Sequence, residues 1–263
     1  MRWVAALVLA ATFPAAAQDY EREKRWAAEI VPNLVVGEAV RLKLPSGRDF
    51  LGLYTERKGA AAVLLLHGVG VHPDHGVIGI LRVALADMGY ATLSLQLPVQ
   101  KSEAQLEDYY PAVFPEAVER IRAGAGWLGE RGHSKVVLLS HSMGSWMANV
   151  YYEKTENAPF AGWVCMGLTG GFGGMRNVRA PVLDVYGEHD LPQVLRADWR
   201  RRSTLESIDG SKQVRIAGAN HHFTGKEKDQ SQGKWRACRK LQCPGVVTDN
   251  RLQKMSPARA RVV

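Results

Sequence analysis

The feature that most constrains this chain is residues 140–144, whose sequence is Ser-His-Ser-Met-Gly. An apolar run over residues 135–139 precedes this pentapeptide, and a helical pattern over residues 145–152 follows it. A strand, a sharp turn with small residues on both sides of a serine, and then a helix are the context of a G-x-S-x-G nucleophile elbow. The pattern therefore predicts a nucleophile at Ser142, with an ordinary strand-to-helix turn as the alternative.

Such an elbow strains the backbone of its serine, so the residues two positions before and two positions after it must be small. Gly144 satisfies this requirement. Ser140 stands where the motif has glycine, which is a small departure from the pattern.

Strands and helices alternate along the chain after an initial hairpin. Strands are predicted at residues 39–44, 49–55, 60–66, 90–97, 135–139, 160–168, 181–187 and 213–217, and helices at residues 20–30, 77–88, 114–128, 145–152 and 191–203. This alternation predicts an α/β fold in which a mostly parallel central sheet, with an N-terminal hairpin, carries helices on both faces. No long insertion separates Leu168 from Pro181, so a separate lid domain is not expected.

The first 17 residues have the anatomy of a secretory signal peptide. Arg2 supplies a positive charge, residues 4–13 form an apolar run, and three alanines end at Ala17. The run is shorter than the ~20 residues that a spanning helix needs. We expect cleavage after Ala17 and a periplasmic or secreted mature protein, with an uncleaved anchor as the alternative.

The formal charge of +8 is concentrated near the C-terminus. Residues 224–263 contain ten Lys or Arg and three Asp or Glu, which leaves residues 18–223 neutral. This distribution argues against a nucleic-acid-binding domain. The tail is expected to be partly disordered and solvated, with weak contact to an anionic membrane as its alternative role. The predicted organisation is a signal peptide (1–17), an N-terminal segment (18–38), an α/β domain (39–223) and a basic tail (224–263).

An acid and a histidine are needed to activate a serine. The hydroxyl is a poor nucleophile until a neutral imidazole takes its proton, and a carboxylate then fixes the imidazole's tautomer and stabilises its cation. In the chain order Ser, acid, His, the acid follows a strand later than the elbow. Glu188 and Asp190 lie at such a place, and Asp190, followed by Leu-Pro, fits better. A helix N-cap is the alternative role of Asp190, whereas Asp184, inside its strand, is expected to pair structurally.

The histidine should follow the last strand, where His221 and His222 both lie. We expect His221, directly after Gly-Ala-Asn, to be the base, with His222 as the fallback. An exposed loop histidine is the alternative for either residue.

Residues 67–70 have the sequence His-Gly-Val-Gly and end a buried apolar strand. A glycine-rich turn at that place can direct a backbone N–H toward a developing oxyanion. The second donor would be the backbone N–H of Met143, the residue after the nucleophile.

No metal or organic cofactor is expected. His67, His72 and His75, with Asp74 nearby, lack the spacing of a recognised metal site, and the three cysteines form no C-x-x-C pair. Cys165 lies in an apolar run and is expected to be a buried thiol.

Several other residues are expected to be structural. His141 should pack beside the elbow, His133 should lie in a surface loop, and Trp127, Trp146 and Trp163 should belong to the core. Cys238 and Cys243 are close enough in sequence for a disulfide, which export would permit.

Taken together, these residues make the chain resemble the α/β-hydrolase superfamily from about Val40 to Phe223. Residues 64–74 and 91–98 are also similar to a little-characterised exported hydrolase-like family of Gram-negative bacteria. Two features depart from the superfamily pattern: Ser140 at the elbow, and a tail without the usual closing amphipathic helix.

The resemblance implies the α/β-hydrolase fold and a role for each matching residue. Ser142, Asp190 and His221 would form a catalytic triad, and the backbone N–H groups of Val69 and Met143 would form the oxyanion hole.

The predicted function is that of an exported, carboxylesterase-like serine hydrolase. It would cleave a small-molecule ester, or a thioester or amide, through an acyl-enzyme. The alternative is a non-catalytic protein of the same fold that binds a ligand or a cell-envelope partner, because one fold hosts many functions.

Overall fold

A computed structural model describes residues 18–224 of the chain, except Ala60 and Pro111. The predicted signal peptide, the tail from residue 225 onward, and the Cys238–Cys243 pair lie outside the described residues. Within this part of the chain, no helix combines the length and the apolar character needed to cross a bilayer.

The described residues form one eight-stranded sheet with helices packed against it. The strands are β1 (Glu38–Lys43), β2 (Asp49–Thr55), β3 (Ala61–Leu66), β4 (Ala91–Leu95), β5 (Lys135–His141), β6 (Phe160–Met166), β7 (Val182–His189) and β8 (Lys212–Asn220). The helices are α1 (Tyr20–Ile30), α2 (Gly76–Asp87), α3 (Leu106–Tyr109), α4 (Phe114–Glu130), α5 (Met143–Lys154), α6 (Pro192–Arg196) and α7 (Asp198–Leu205), with 3₁₀ turns at Val31–Asn33 and Gly173–Asn177.

The strand order is β1-β2-β4-β3-β5-β6-β7-β8. The β1–β2 and β2–β4 pairs are antiparallel, and the pairs from β4–β3 to β7–β8 are parallel. The predicted α/β fold with an N-terminal hairpin is therefore confirmed. Because β3 to β8 run in the same direction, their carboxyl ends lie along one edge of the sheet.

Apolar side chains fill both faces of the sheet. In β3, Leu64 and Leu66 join one buried cluster with residues of α4 and α5, while Val63 and Leu65 join another with residues of α2. This alternation explains why β3 is a continuous apolar run, since a strand covered on both faces has no side that contacts water.

Two local predictions about the scaffold were wrong. His133, expected at the surface, is buried, with Nε2 at 3.0 Å from the hydroxyl of Tyr54 and Nδ1 at 3.2 Å from the carbonyl oxygen of Gly59.

The second difference is in the helix predicted at residues 191–203, which is interrupted at Ala197. The break allows the guanidinium of Arg201 to donate both to Asp184, at 2.8 Å, and to the carbonyl of Val194 in α6, at 2.9 Å. The predicted structural pairing of Asp184 is thus confirmed, and it connects α7 to the buried strand β7.

Helix α1 is attached to the domain by a buried ion pair. The fully buried guanidinium of Arg120 in α4 donates to Glu23 at 3.0 Å, to Glu116 at 2.6 Å and to the carbonyl of Gln96 at 2.8 Å. Because each of its partners is an oxygen acceptor, this charge is compensated inside the protein.

Helix α1 also supports the turn that follows β3. The guanidinium of Arg22 donates to the carbonyl of Gly70 at 3.1 Å and to the carbonyl of Gln100 at 2.9 Å. Arg22 therefore connects the segments that follow β3 and β4 to the N-terminal helix.

The buried imidazole of His67 also connects the segments that follow β3 and β4. Its Nε2 accepts the N–H of Leu97 at 2.8 Å, so its Nδ1 carries the proton and donates to the carbonyl of Gly68 at 2.8 Å. Burial lowers the pKa of His67 to about 3, and the imidazole is therefore neutral.

We predict that Arg120→Met will lower the free energy of unfolding by about 3–5 kcal/mol, because it leaves the buried carboxylate of Glu23 without a cation. Urea denaturation monitored by circular dichroism measures this change. The control is Arg122→Met on the exposed side of the same helix, which should change stability by no more than about 0.5 kcal/mol. Equal effects of the two substitutions would contradict the role given to the ion pair.

We also predict that His67 makes the protein less stable as the pH falls. In the unfolded chain His67 binds a proton near pH 6.5, whereas in the folded protein it does so near pH 3, so unfolding takes up a proton between these values. His67→Gln should therefore reduce the pH dependence of the free energy of unfolding by about 1.4 kcal/mol per unit between about pH 5.5 and pH 4.5. The prediction concerns the slope of the free energy of unfolding against pH, so a loss of stability that is the same at every pH does not affect it. Equal slopes in the wild type and the variant would contradict it.

Candidate active site

The elbow places Ser142 between β5 and α5 in a conformation that is unusual for a residue with a side chain. Its φ is 57° and its ψ is −122°. Its N–H donates to the carbonyl of Met166 at 2.9 Å, and its own carbonyl accepts the N–H of Ser145 at 2.9 Å. These bonds hold the strained backbone in place.

The glycine required at position 144 has a clear steric cause. A Cβ on Gly144 would overlap the backbone carbonyls of His67 and Leu66 at the end of β3. The missing side chain therefore allows α5 to begin directly against the exit of β3.

Ser140, the departure from the glycine pattern, has partners of its own. Its side chain is buried, and its Oγ accepts the indole N–H of Trp163 at 2.8 Å and lies 3.0 Å from the hydroxyl of Ser145. A serine fits here because the surrounding polar groups satisfy its hydroxyl.

The structure brings together three of the predicted side chains from the ends of β5, β7 and β8. His221 Nε2 lies 2.8 Å from Ser142 Oγ, and His221 Nδ1 lies 2.6 Å from Asp190 Oδ1. All three residues are buried. When the imidazole is neutral with its proton on Nδ1, Nε2 is free to accept the proton of the serine hydroxyl.

Asp190 is held as a carboxylate by several donors. Burial alone would raise its pKa, but the hydrogen bond from His221 and those from the backbone N–H groups of Gly187, at 3.0 Å, and Leu191, at 2.8 Å, lower the pKa below its ordinary value. An N-cap role does not apply, because α6 has Leu191 at its N-cap and no side chain caps it.

The two fallback residues lie elsewhere. Glu188 accepts from Arg215 at 2.7 Å and from the N–H of Gly218 at 2.9 Å at the surface. His222 is exposed, with its ring centre 5.5 Å from that of His221. His222 lines the same cavity as Ser142, but the imidazole that is hydrogen-bonded to Ser142 Oγ is that of His221.

The two candidate oxyanion donors are next to the serine. Met143 is the first residue of α5, so its N–H has no acceptor within the helix. Neither this N–H nor that of Val69 donates to any acceptor in the described part of the chain. A Cβ on Gly68 would lie 3.8 Å from Ser142 Oγ, which shows how close this turn comes to the serine. Both N–H groups could therefore receive a negatively charged oxygen.

His141 is a further residue of the site whose role the sequence did not indicate. Its Nε2 donates to the carbonyl of His221 at 2.9 Å, and burial lowers its pKa to about 4. It is therefore a neutral donor that fixes the backbone of His221. Its position beside Ser142 in sequence predicts packing near the elbow, but nothing in the pattern indicates this bond.

A cavity of about 640 Å³ opens onto Ser142 and His221. Trp146, expected in the core, is only partly buried and lines this cavity, where its ring stacks on Tyr110 at 5.0 Å. Among residues 18–224, apart from the two that are not described, no three His, Cys, Asp or Glu side chains converge as a set of metal ligands.

Residues 6–119 match the model of a family described as a protein of unknown function (DUF3530). No curated protein sequence matches this chain.

Solved structures of hydrolases share the fold. A dienelactone hydrolase from Anabaena variabilis has a TM-score of 0.62 and 24% identity over 77% of this chain and 93% of its own. An esterase from Pyrococcus furiosus has a TM-score of 0.61 and 14% identity over 78% of this chain and 89% of its own.

An alpha-beta serine hydrolase homologue from Coxiella burnetii has a TM-score of 0.53 and 20% identity over 79% of this chain and 96% of its own. With the strand order, the parallel sheet and the elbow between β5 and α5, this similarity shows that the chain has the α/β-hydrolase fold.

Proposed function

We propose that this protein is an exported serine hydrolase that cleaves carboxylic esters through an acyl-enzyme, with Ser142, His221 and Asp190 as its catalytic triad. The observation that carries the proposal is the continuous path from Ser142 Oγ through His221 to Asp190, with distances of 2.8 Å and 2.6 Å. Export is part of the proposal and rests on the anatomy of residues 1–17.

The first half of the reaction forms the acyl-enzyme. Ser142 Oγ attacks the ester carbonyl carbon while His221 Nε2 takes the hydroxyl proton, and Asp190 stabilises the resulting imidazolium. The negative charge that develops on the carbonyl oxygen is stabilised by the N–H groups of Val69 and Met143. The carbon–oxygen bond to the alcohol then breaks, and the imidazolium protonates the departing alkoxide.

The second half regenerates the serine. His221 removes a proton from a water molecule that attacks the acyl carbon, the same N–H groups stabilise the oxyanion, and the proton then passes to Ser142 Oγ as the acid leaves. This route consumes one water per ester and uses only the chain's own groups. Esters are preferred over amides because an alkoxide leaves more readily than an amide anion, and thioesters can follow the same steps.

We predict that a fluorophosphonate probe will label the folded protein at Ser142, because the probe reacts with a serine only when an adjacent base activates it. Labelling followed by gel fluorescence or mass spectrometry should be lost in Ser142→Ala and unchanged in Ser46→Ala, whose serine is exposed in the β1–β2 turn. Folded wild-type protein that remains unlabelled would instead support the non-catalytic binding protein. Full labelling of Ser142→Ala would place the reactive serine elsewhere.

We predict that Asp190→Asn will lower kcat by about 10⁴-fold with little change in folding, because an amide cannot hold His221 in the required tautomer. Initial rates with p-nitrophenyl acetate measure the change. Glu188→Gln is the matched control, since it alters a surface carboxylate two residues away, and it should retain nearly full activity. If the two variants lost activity equally, Asp190 would not be the acid of the triad.

A further inference from the structure

The cavity beside Ser142 is lined mainly by apolar side chains. One face of α2 contributes Val77, Ile78, Ile80 and Leu81, which are neighbours at helical spacing. Other elements contribute further apolar side chains, among them Leu106 and Trp146. A cavity of about 640 Å³ is within the usual range for small-molecule sites.

The rim of this cavity is apolar as well. Ile80 is 40% exposed and Leu106 is 49% exposed, and both line the cavity. Tyr110, 47% exposed, stacks on Trp146 in the wall. Apolar side chains that stay exposed at the edge of an apolar cavity indicate a surface that receives an apolar ligand.

Charged groups that could recognise an ionised substrate are missing from the described lining. None of the described lining residues is a Lys or an Arg, and the one carboxylate is that of Glu107, which is exposed. Four imidazoles also line the cavity: those of His141 and His221 are buried in the site, and those of His75 and His222 are exposed. The nearby guanidinium of Arg22 is already bonded to the carbonyls of Gly70 and Gln100 and does not line the cavity. A carboxylate entering this cavity would lose its hydration without gaining a Lys or Arg partner, which is unfavourable.

We infer that the site takes uncharged esters that carry an apolar chain of several carbons and discriminates against esters that carry a carboxylate. This inference rests on the proposed hydrolase function. It identifies α2 and the rim residues Ile80 and Leu106 as the surface that binds the chain.

The first experiment compares p-nitrophenyl acetate, butyrate and hexanoate with mono-p-nitrophenyl adipate, whose chain has the length of the hexanoate but ends in a carboxylate. We expect kcat/KM to rise from acetate to hexanoate by up to about fourfold per methylene, the factor that corresponds to burying one CH₂ group. The adipate should be at least about tenfold poorer than the hexanoate. Alkyl acetates of increasing alcohol length test the other side of the ester bond.

The second experiment changes the rim. Ile80→Arg should lower the ratio of hexanoate to adipate turnover, because it replaces an apolar contact with a cation that can pair with the adipate carboxylate. Met88→Arg is the matched control, since Met88 follows the same helix and is exposed to a similar extent, at 38%, but does not line the cavity. That variant should keep the wild-type ratio.

The outcomes separate this inference from the proposed function. Protein that reacts with neither the fluorophosphonate nor any ester would overturn the proposed function and this inference with it. Protein that is labelled and hydrolyses the acetate, but shows no gain with chain length in either series or prefers the adipate, would overturn this inference alone. An equal shift of the ratio in both arginine variants would show that α2 does not form the chain-binding surface.

Discussion

The close contact between Gly144 and the backbone at the exit of β3 determines how the candidate site is assembled. Because no side chain separates them, α5 starts directly against the carbonyls of Leu66 and His67, and the turn after β3 comes next to Ser142. Ser142 adopts its strained φ of 57° at the same junction between β5 and α5. A larger residue at position 144 would move the elbow away from the turn that carries Val69.

Two imidazoles lie beside this turn, and burial keeps both of them neutral. His67 fixes the start of the turn, and His141 fixes the backbone of His221. Burial lowers the pKa of His67 to about 3 and that of His141 to about 4. Both rings are therefore neutral, and each acts as a hydrogen-bonding group that positions backbone next to the site.

The sequence was sufficient for the fold and for the residues that converge at the sheet edge, because apolar runs, their alternation with helices and the elbow pattern are local signals. The pattern could only rank His221 above His222 and Asp190 above Glu188. The deciding contacts join His221 to Asp190, 31 residues away, and to Ser142, 79 residues away, so the structure was needed to identify them. Other features had no local signal in the sequence, because each depends on a partner far along the chain. They are the burial of His133, the bond between Ser140 and Trp163, and the contact of Arg22 with Gly70.

The attachment of α1 has a consequence for the order in which the molecule can assemble. Glu23 lies 97 residues before Arg120, and Arg22 lies 78 residues before the carbonyl that it contacts at Gln100. The apolar face of α1, with Ala27 and Ile30, can pack on Leu51 and Leu53 of β2, which follow it closely in sequence. Its polar contacts cannot form until the segment after β4 and then α4 have been synthesised, and closing so long a loop costs entropy that only the finished contacts offset. The polar attachment of the first helix is therefore completed only when almost half of the polypeptide has been made.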